Sequence, residues 1–294
     1  MSTRPPVPVP TEYGNPGSFW VEYPSGLLDL TRTNHLNEPG NPPPLNNETQ
    51  WELQVDGDRI LRIDKSKSAI VIIDMQNFFL HPDLRAHPTG LACVDPLMKA
   101  VPALRSLGSK ILWVNWGLTD PELQTIPPSL VRGFQKNGRG GFGSKLPGDF
   151  GRLLMRDELN SALYGPLQGL YEEGKEKGTD VWIHKNRMSG LWGPQTALDL
   201  YLQENGITTL FFAGVNADQC VLGTLVDSYF RGYDCIVVRD GIATTSPEGG
   251  LENVLYNSAN SYGFLAFARN TLQPAAKSQT NTPPSKNSAH IASE

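Results

Sequence analysis

Short apolar runs and helix-spaced apolar patterns alternate through most of the chain. Runs rich in β-branched and aromatic residues predict buried strands of a parallel sheet. These runs lie at residues 68–74, 110–116, 179–185 and 208–213, with two more near 235 and 264. Apolar residues at helical spacing predict helices at 95–107, 196–204, 220–230 and 247–262. The alternation of strands and helices predicts an α/β fold with a sheet of six strands.

The two ends of the chain lack this periodicity. Residues 1–58 are rich in Pro, Asn and Gly, so we predict an extended arm rather than a folded module, packed over the body or a neighbouring subunit. Residues 275–294 are polar with Pro and Ser, and we predict that they are disordered. One folded domain is then expected over residues 59–274. A long irregular insertion at 117–151 is expected to be a flexible lid or a subunit contact.

Composition narrows the classes of protein. The chain has 294 residues, 39% hydrophobic residues and a net charge of −5, without a basic stripe, so no nucleic-acid partner is expected. No apolar stretch approaches the roughly 20 residues of a membrane span, and the N-terminal residues do not resemble a signal peptide, so no membrane partner is expected. The three cysteines have no ligand spacing, which favours reduced thiols and a cytoplasmic location.

Cys220 follows a predicted strand and stands on the first turn of a predicted helix. Unpaired backbone N–H groups and the positive end of the helix dipole favour an anion there. A free thiol titrates near about 8.5, and this setting can lower its pKa by one to several units. The pattern therefore indicates a nucleophilic thiolate, with a buried structural cysteine as the alternative.

Two other predicted strands end in charged residues. Asp74 ends the run at 68–74, and Lys185 ends the run at 179–185. Asp74 could instead cap the next turn, and Lys185 could simply be solvated. In open parallel sheets, however, sites form beyond the carboxyl ends of the strands, so Asp74, Lys185 and Cys220 can meet in one crevice.

These three residue types fit acyl transfer to sulfur. Asp74 can take the thiol proton and return it to a leaving amine. The ammonium of Lys185 would stabilise the thiolate and keep Asp74 ionised. Backbone N–H groups between Asn216 and Cys220 are candidates for an oxyanion hole. The expected reaction is formation of a Cys220 thioester followed by its hydrolysis.

The segments around these residues resemble the signature segments of the isochorismatase-like cysteine hydrolases. They are Ile-Ile-Asp-Met-Gln-Asn at Asp74, His-Lys-Asn-Arg at Lys185, and the stretch 214–221 that ends in Cys-Val. The resemblance covers roughly residues 60–272 and implies a three-layer, doubly wound, Rossmann-like fold, with six parallel strands and helices on both faces. It also implies a catalytic triad of Asp74, Lys185 and Cys220, and a homo-oligomer, either a dimer or a tetramer.

The resemblance further implies a cis peptide bond before Asn216 and an oxyanion hole built from the N–H groups of Asn216 and Cys220. Many family members carry Ala where this chain has Asn216. The predicted substrate pocket is formed by residues that follow or flank the three strand ends, and ordinary packing is the alternative for each of them. These residues are Phe79, Trp116, Arg187 and Trp192.

We predict neither a metal nor another cofactor. Nicotinamidases carry an Asp and His cluster after their second strand, whereas residues 115–120 contain no histidine, which disfavours that activity. His81 and His87 could approach each other, but a single pair is a poor zinc site. The Gly-rich run at 137–145 lacks the Gly-Lys-Ser/Thr order of a phosphate loop and the strand before it.

Three functional hypotheses follow. The first is an amidohydrolase that cleaves an amide or carbamoyl C–N bond of a small molecule through a Cys220 thioester. The second is an isochorismatase that cleaves a vinyl ether by protonation from Asp74 and needs no thiol. The third is a catalytically silent α/β binding module. The substrate itself is not predicted.

Overall fold

The computed structural model describes residues 4–36, 40–135 and 140–272. The predicted disordered tail at 275–294 lies outside the described residues. The strands of the described residues are β1 (Thr11–Asn15), β2 (Ser18–Glu22), β3 (Leu27–Asp29), β4 (Gln50–Val55), β5 (Arg59–Asp64), β6 (Ser68–Ile73), β7 (Lys110–Trp116), β8 (Asp180–Lys185), β9 (Thr209–Val215), β10 (Asp234–Ala243) and β11 (Gly263–Ala266).

The helices agree with the apolar periodicity in most places. The α-helices of the described residues are α1 (Asn77–Leu80), α2 (Pro88–Leu91), α3 (Val94–Ser106), α4 (Asp120–Leu123), α5 (Pro128–Phe134), α6 (Pro166–Glu176), α7 (Ala197–Glu204), α8 (Leu222–Phe230) and α9 (Gly250–Asn257). Two π-helical turns, Ala217–Val221 and Ser258–Tyr262, precede α8 and follow α9, and short 3₁₀ turns form at Leu159–Ser161 and Ala268–Leu272. No described helix combines the length and apolar character needed to span a membrane.

The central sheet has the six predicted strands, all parallel, in the order β11-β10-β9-β6-β7-β8. Trp113 and Val114 on β7 show how helices cover both faces. The ring of Trp113 meets Tyr171 of α6 edge-on, whereas Val114 lies near Leu198 of α7 around Gly190. Since successive strand residues point to opposite faces, the sheet lies between two helical layers. The predicted fold is confirmed.

The strand register brings the candidate residues to one edge of the sheet. Ile73 at the end of β6 pairs with Val114 of β7 and with Gly214 of β9, and Trp116 pairs with Lys185 of β8. Residues that follow these strands therefore emerge side by side.

The prediction of an extended arm over residues 1–58 is wrong for the described part of that segment. Strands β1–β5 form a second sheet in the order β1-β2-β3-β5-β4. Its apolar side chains, including Phe19, Val21, Tyr23 and Leu27, are buried. The strands are short and separated by Pro and Gly, so their pairing leaves little periodicity in the sequence. The domain division at residue 59 stays a prediction, although β5 already pairs with β4 across it.

A buried carboxylate ties this second sheet to the central one. Asp234, the first residue of β10, accepts hydrogen bonds from the indole N–H of Trp20 at 2.7 Å and from the Thr209 hydroxyl at 2.8 Å. The guanidinium of Arg32 binds both of its oxygens, at 2.6 and 2.8 Å. Bidentate pairing of this kind fixes orientation as well as distance.

Candidate active site

Asp74 and Lys185 form a buried ion pair where their strands end. Asp74 follows β6 directly and has a left-handed φ of 54°. Lys185 is the last residue of β8. Its Nζ lies 2.9 Å from Asp74 Oδ2, and the two side chains are 2% and 0% exposed. Lys185 Nζ also donates to the Arg187 carbonyl at 3.2 Å.

Cys220 completes the group. It is buried, 5% exposed, on the π-helical turn before α8. Its thiol lies beside the carboxylate of Asp74, and each of the two groups shifts the pKa of the other. The structure therefore brings Asp74, Lys185 and Cys220 into one enclosure, and their role as a catalytic triad stays a prediction.

The expected low pKa of Cys220 is wrong for the resting site. Burial raises the pKa of the thiol to about 12, while Lys185 lowers it and Asp74 raises it. Loss of water favours the neutral form of an acid, and here this effect outweighs the opposing effects of Lys185 and Trp116. Burial likewise raises the pKa of Asp74, against the opposing effects of Lys185, Cys220 and the Trp116 N–H. Cys220 is therefore a neutral thiol beside a carboxylate in this structure.

The loop after β9 carries the two backbone N–H groups that are predicted to form an oxyanion hole. The peptide bond between Val215 and Asn216 is cis. The Asn216 carbonyl accepts hydrogen bonds from the N–H groups of Gln219 at 3.0 Å and Val221 at 3.3 Å. These bonds fix the orientation of the turn that carries the N–H groups of Asn216 and Cys220. Their use as oxyanion donors stays a prediction.

His87 is a residue of this region that the sequence did not reveal. Its Nε2 lies 2.7 Å from Asn216 Oδ1, and both side chains are buried. Its Nδ1 accepts a hydrogen bond from the backbone N–H of Gly90 at 2.9 Å. The ring proton therefore resides on Nε2, which donates a hydrogen bond to Asn216. Burial lowers the pKa of His87, which keeps the ring neutral. The two residues are 129 positions apart, and no local pattern links them.

Trp116 is the predicted pocket residue that lies against the candidate triad. Its backbone N–H donates to Asp74 Oδ1 at 3.2 Å, and its ring centroid is 4.0 Å from Lys185 Nζ. Two rings of the insertion, Phe134 and Phe142, pack on Trp116 at 5.5 and 5.0 Å. The insertion, predicted to be irregular, contains helices α4 and α5 and supplies this aromatic cover.

The other predicted pocket residues lie in different surroundings. Phe79 is buried in α1 and meets Phe78 edge-on at 4.9 Å. Arg187 stacks on Trp192 at 4.7 Å and donates to the Thr125 carbonyl of the insertion. Trp192 is half exposed. Contact of these side chains with a substrate stays a prediction.

A separate cavity of about 580 Å³ lies beside β8 and is lined in part by Tyr171, Trp182 and His184. Alternation along β8 directs His184 and Lys185 to opposite faces of the sheet. This cavity is therefore not the enclosure of Asp74, Lys185 and Cys220.

Comparison with known proteins supplies the family. Residues 68–263 match the family model described as the isochorismatase domain, which is more than half of the chain. The chain belongs to the isochorismatase family. The resemblance of its three signature segments is thereby confirmed.

Three relatives illustrate this isochorismatase-family membership. The chain is 29% identical to ureidoacrylate amidohydrolase RutB of Caulobacter segnis over 210 residues, which is 69% of this chain and 84% of RutB. The nicotinamidase PncA structure of Bacillus subtilis has a TM-score of 0.54 at 27% identity, covering 68% of this chain and 99% of PncA. The N-carbamoylsarcosine amidase structure of Thermoplasma acidophilum has a TM-score of 0.50 at 26% identity, covering 69% of this chain and 96% of the amidase.

Within residues 4–36, 40–135 and 140–272, no group of three or more His, Cys, Asp or Glu side chains is placed to hold a metal ion. His87 is engaged by Asn216 and Gly90, and His81 lies against Phe150 at 4.8 Å.

Proposed function

We propose that this protein hydrolyses an amide or carbamoyl C–N bond of a small molecule through a thioester on Cys220. The observation that carries the proposal is the meeting of a thiol, a carboxylate and an ammonium in one dry enclosure. Lys185 Nζ lies 2.9 Å from Asp74, and the Cys220 thiol lies beside the same carboxylate. The relatives named as amidohydrolase, nicotinamidase and amidase support the reaction class.

The reaction begins with transfer of the Cys220 proton to Asp74. The raised pKa of Asp74 suits this role, because a carboxylate of higher pKa is a stronger base. Sulfur then attacks the substrate carbonyl carbon. The carbonyl oxygen becomes an oxyanion, which accepts hydrogen bonds from the backbone N–H groups of Asn216 and Cys220. One such donor typically contributes about 10²–10³ in rate.

The proton on Asp74 next passes to the leaving nitrogen as the C–N bond breaks, which leaves the acyl group on sulfur. Water, deprotonated by Asp74, then hydrolyses the thioester and restores the thiol. Lys185, whose Nζ lies 2.9 Å from Asp74, balances whichever of Asp74 and Cys220 carries the negative charge. Because these side chains are buried, each of these charges interacts strongly with its neighbours.

The proposal includes a small-molecule substrate and no nucleic-acid or membrane partner. A homo-oligomer is proposed as well, supported by exposed aromatic side chains such as Phe230, which is 78% exposed. A cytoplasmic location is supported by Cys93, Cys220 and Cys235, which are all free and buried thiols.

The experiment measures hydrolysis of a panel of small primary amides, ureas and lactams, with mass spectrometry of the intact protein. Wild-type protein should turn over at least one compound and carry an acyl adduct on Cys220. Cys220→Ala should lose both, whereas Cys235→Ala, a buried cysteine of β10, should lose neither. Full turnover of an amide, urea or lactam by Cys220→Ala would disprove the thioester mechanism. If a vinyl ether substrate were instead cleaved by Cys220→Ala but not by Asp74→Asn, vinyl ether cleavage would be favoured.

A further inference from the structure

Trp116 contacts the candidate triad through three different parts of the residue. Its backbone N–H donates to Asp74 Oδ1 at 3.2 Å. The face of its ring lies 4.0 Å from Lys185 Nζ, a cation–π contact. Its indole N–H lies near the sulfur of Cys220 and lowers the pKa of that thiol. A residue that meets all three groups can influence how they share one proton.

The indole N–H is buried and makes no regular hydrogen bond with any described residue. Leaving a buried donor without an acceptor costs about 1–3 kcal/mol. A neutral thiol is a weak acceptor, whereas hydrogen bonds to an ionised acceptor are about twice as strong as neutral ones. The indole N–H of Trp116 therefore gains a strong acceptor, the Cys220 thiolate, when the proton leaves the sulfur.

The surroundings of Trp116 hold its ring in place. The side chain of Gln76 holds the backbone of Trp116. Its oxygen accepts a hydrogen bond from the backbone N–H of Trp116 at 3.1 Å, and its NH₂ group donates to the backbone carbonyl of Trp116 at 2.8 Å. Phe134 and Phe142 stack on each other at 4.1 Å and cover the ring from the insertion. A donor fixed in this way needs no reorganisation when charge develops, which is the condition for electrostatic catalysis.

We propose that the indole N–H of Trp116 is a catalytic hydrogen-bond donor to the Cys220 thiolate. This inference rests on the proposed function and adds a fourth participant to it. The proton moves from Cys220 Sγ to Asp74, the N–H bond of Trp116 stays intact, and an N–H···S⁻ hydrogen bond forms. The same bond stabilises sulfur as it departs from the thioester during hydrolysis.

The test replaces Trp116 in two ways. Trp116→Phe removes the N–H and shrinks the ring, and incorporation of 3-benzothienylalanine removes only the N–H while the ring shape is kept. Carbamidomethylation of Cys220 by iodoacetamide is followed by site-resolved mass spectrometry between pH 7 and 10. Both variants should alkylate about tenfold more slowly than wild type at each pH, as expected for loss of a hydrogen bond to a charged acceptor.

Trp51→Phe is the matched control. Its indole N–H is also buried and has no hydrogen-bond partner among the described residues, but Trp51 lies on β4 in the second sheet. It should alkylate at the wild-type rate. A wild-type rate in the benzothienyl variant overturns the proposal, even where Trp116→Phe is slower, because packing alone would then explain the difference. Alkylation needs no substrate, so failure here is distinguishable from turnover by Cys220→Ala, which would overturn the proposed function. With a confirmed substrate, kcat should fall in the benzothienyl variant with KM little changed.

Discussion

His87 Nε2 donates to Asn216 Oδ1 across 2.7 Å and thereby orients the side chain of the residue whose N–H is a candidate oxyanion donor. His87→Leu removes this donor and leaves the Asn216 oxygen buried without a partner. We expect the free energy of unfolding to fall by about 1–3 kcal/mol. We also expect kcat to fall at least tenfold with KM nearly unchanged, as measured by steady-state kinetics.

The conservative variant His87→Gln separates positioning from bulk. It keeps an N–H donor that can reach Asn216, so it should recover most of the lost kcat. If His87→Leu were less stable but had wild-type kcat, a role of His87 in positioning Asn216 would be excluded.

Two histidines, the buried His87 and the partly buried His184, make stability depend on pH. Burial is the main cause that lowers the pKa of both His87 and His184 from the ordinary value of 6.5. As pH falls below 6.5, the unfolded chain binds protons that the folded chain does not, so the free energy of unfolding decreases until pH passes the folded-state pKa values. Urea unfolding of wild type and of the double variant His87→Gln/His184→Gln should show a smaller loss between pH 7 and 5 in the variant. Parallel pH curves would contradict this.

The Asp74–Lys185 pair can be tested by a double-mutant cycle. Lys185→Met leaves the fully buried carboxyl of Asp74 without its ammonium, and we expect a loss of about 3–5 kcal/mol in the free energy of unfolding. Adding Asp74→Asn removes the unpaired charge and should restore part of that stability, although both variants should be inactive. Additive losses in chemical denaturation would show that the two side chains are not energetically coupled.

Gly214 permits the close approach of β9 to β6 beside the candidate site. Its φ is +114°, and a Cβ there would lie 1.9 Å from the Ile73 carbonyl oxygen. Gly214→Ala should therefore lower the free energy of unfolding by about 3 kcal/mol or more, together with activity. Gly169→Ala is the control, because its Cβ would meet nothing within 4 Å on α6, and it should leave stability unchanged or slightly raised. Equal melting temperatures for the two variants would contradict the argument.

Asp234 should control the attachment of the second sheet. Asp234→Ala leaves Arg32 and the Trp20 indole without their acceptor, and we expect a loss of about 3–5 kcal/mol in stability and faster proteolysis within residues 4–36. Asp120→Ala breaks an exposed ion pair with Arg152 and should change neither measurement. Resistance to proteolysis in Asp234→Ala would show that other contacts hold the sheet.

Much of the central fold follows from local patterns. Buried parallel strands are continuous apolar runs, so β6, β7 and β9 were predictable to within about two residues. The meeting of Asp74, Lys185 and Cys220 was also predictable, because parallel strands place their carboxyl ends at one edge. The second sheet was not predictable from local patterns. Its strands β1–β5 are short and are stabilised by partners distant in the chain, such as Asp234 for Trp20.

The sequence alone thus determined the α/β class, the family resemblance and the identity of the three residues at the strand ends. Tertiary structure decided that Cys220 rests as a thiol, that His87 binds Asn216, and that Trp116 faces the ion pair. The physical reason is that periodicity records which face of an element is buried. Desolvation and hydrogen bonding depend instead on distances between residues far apart in the chain, and these exist only once the chain has folded.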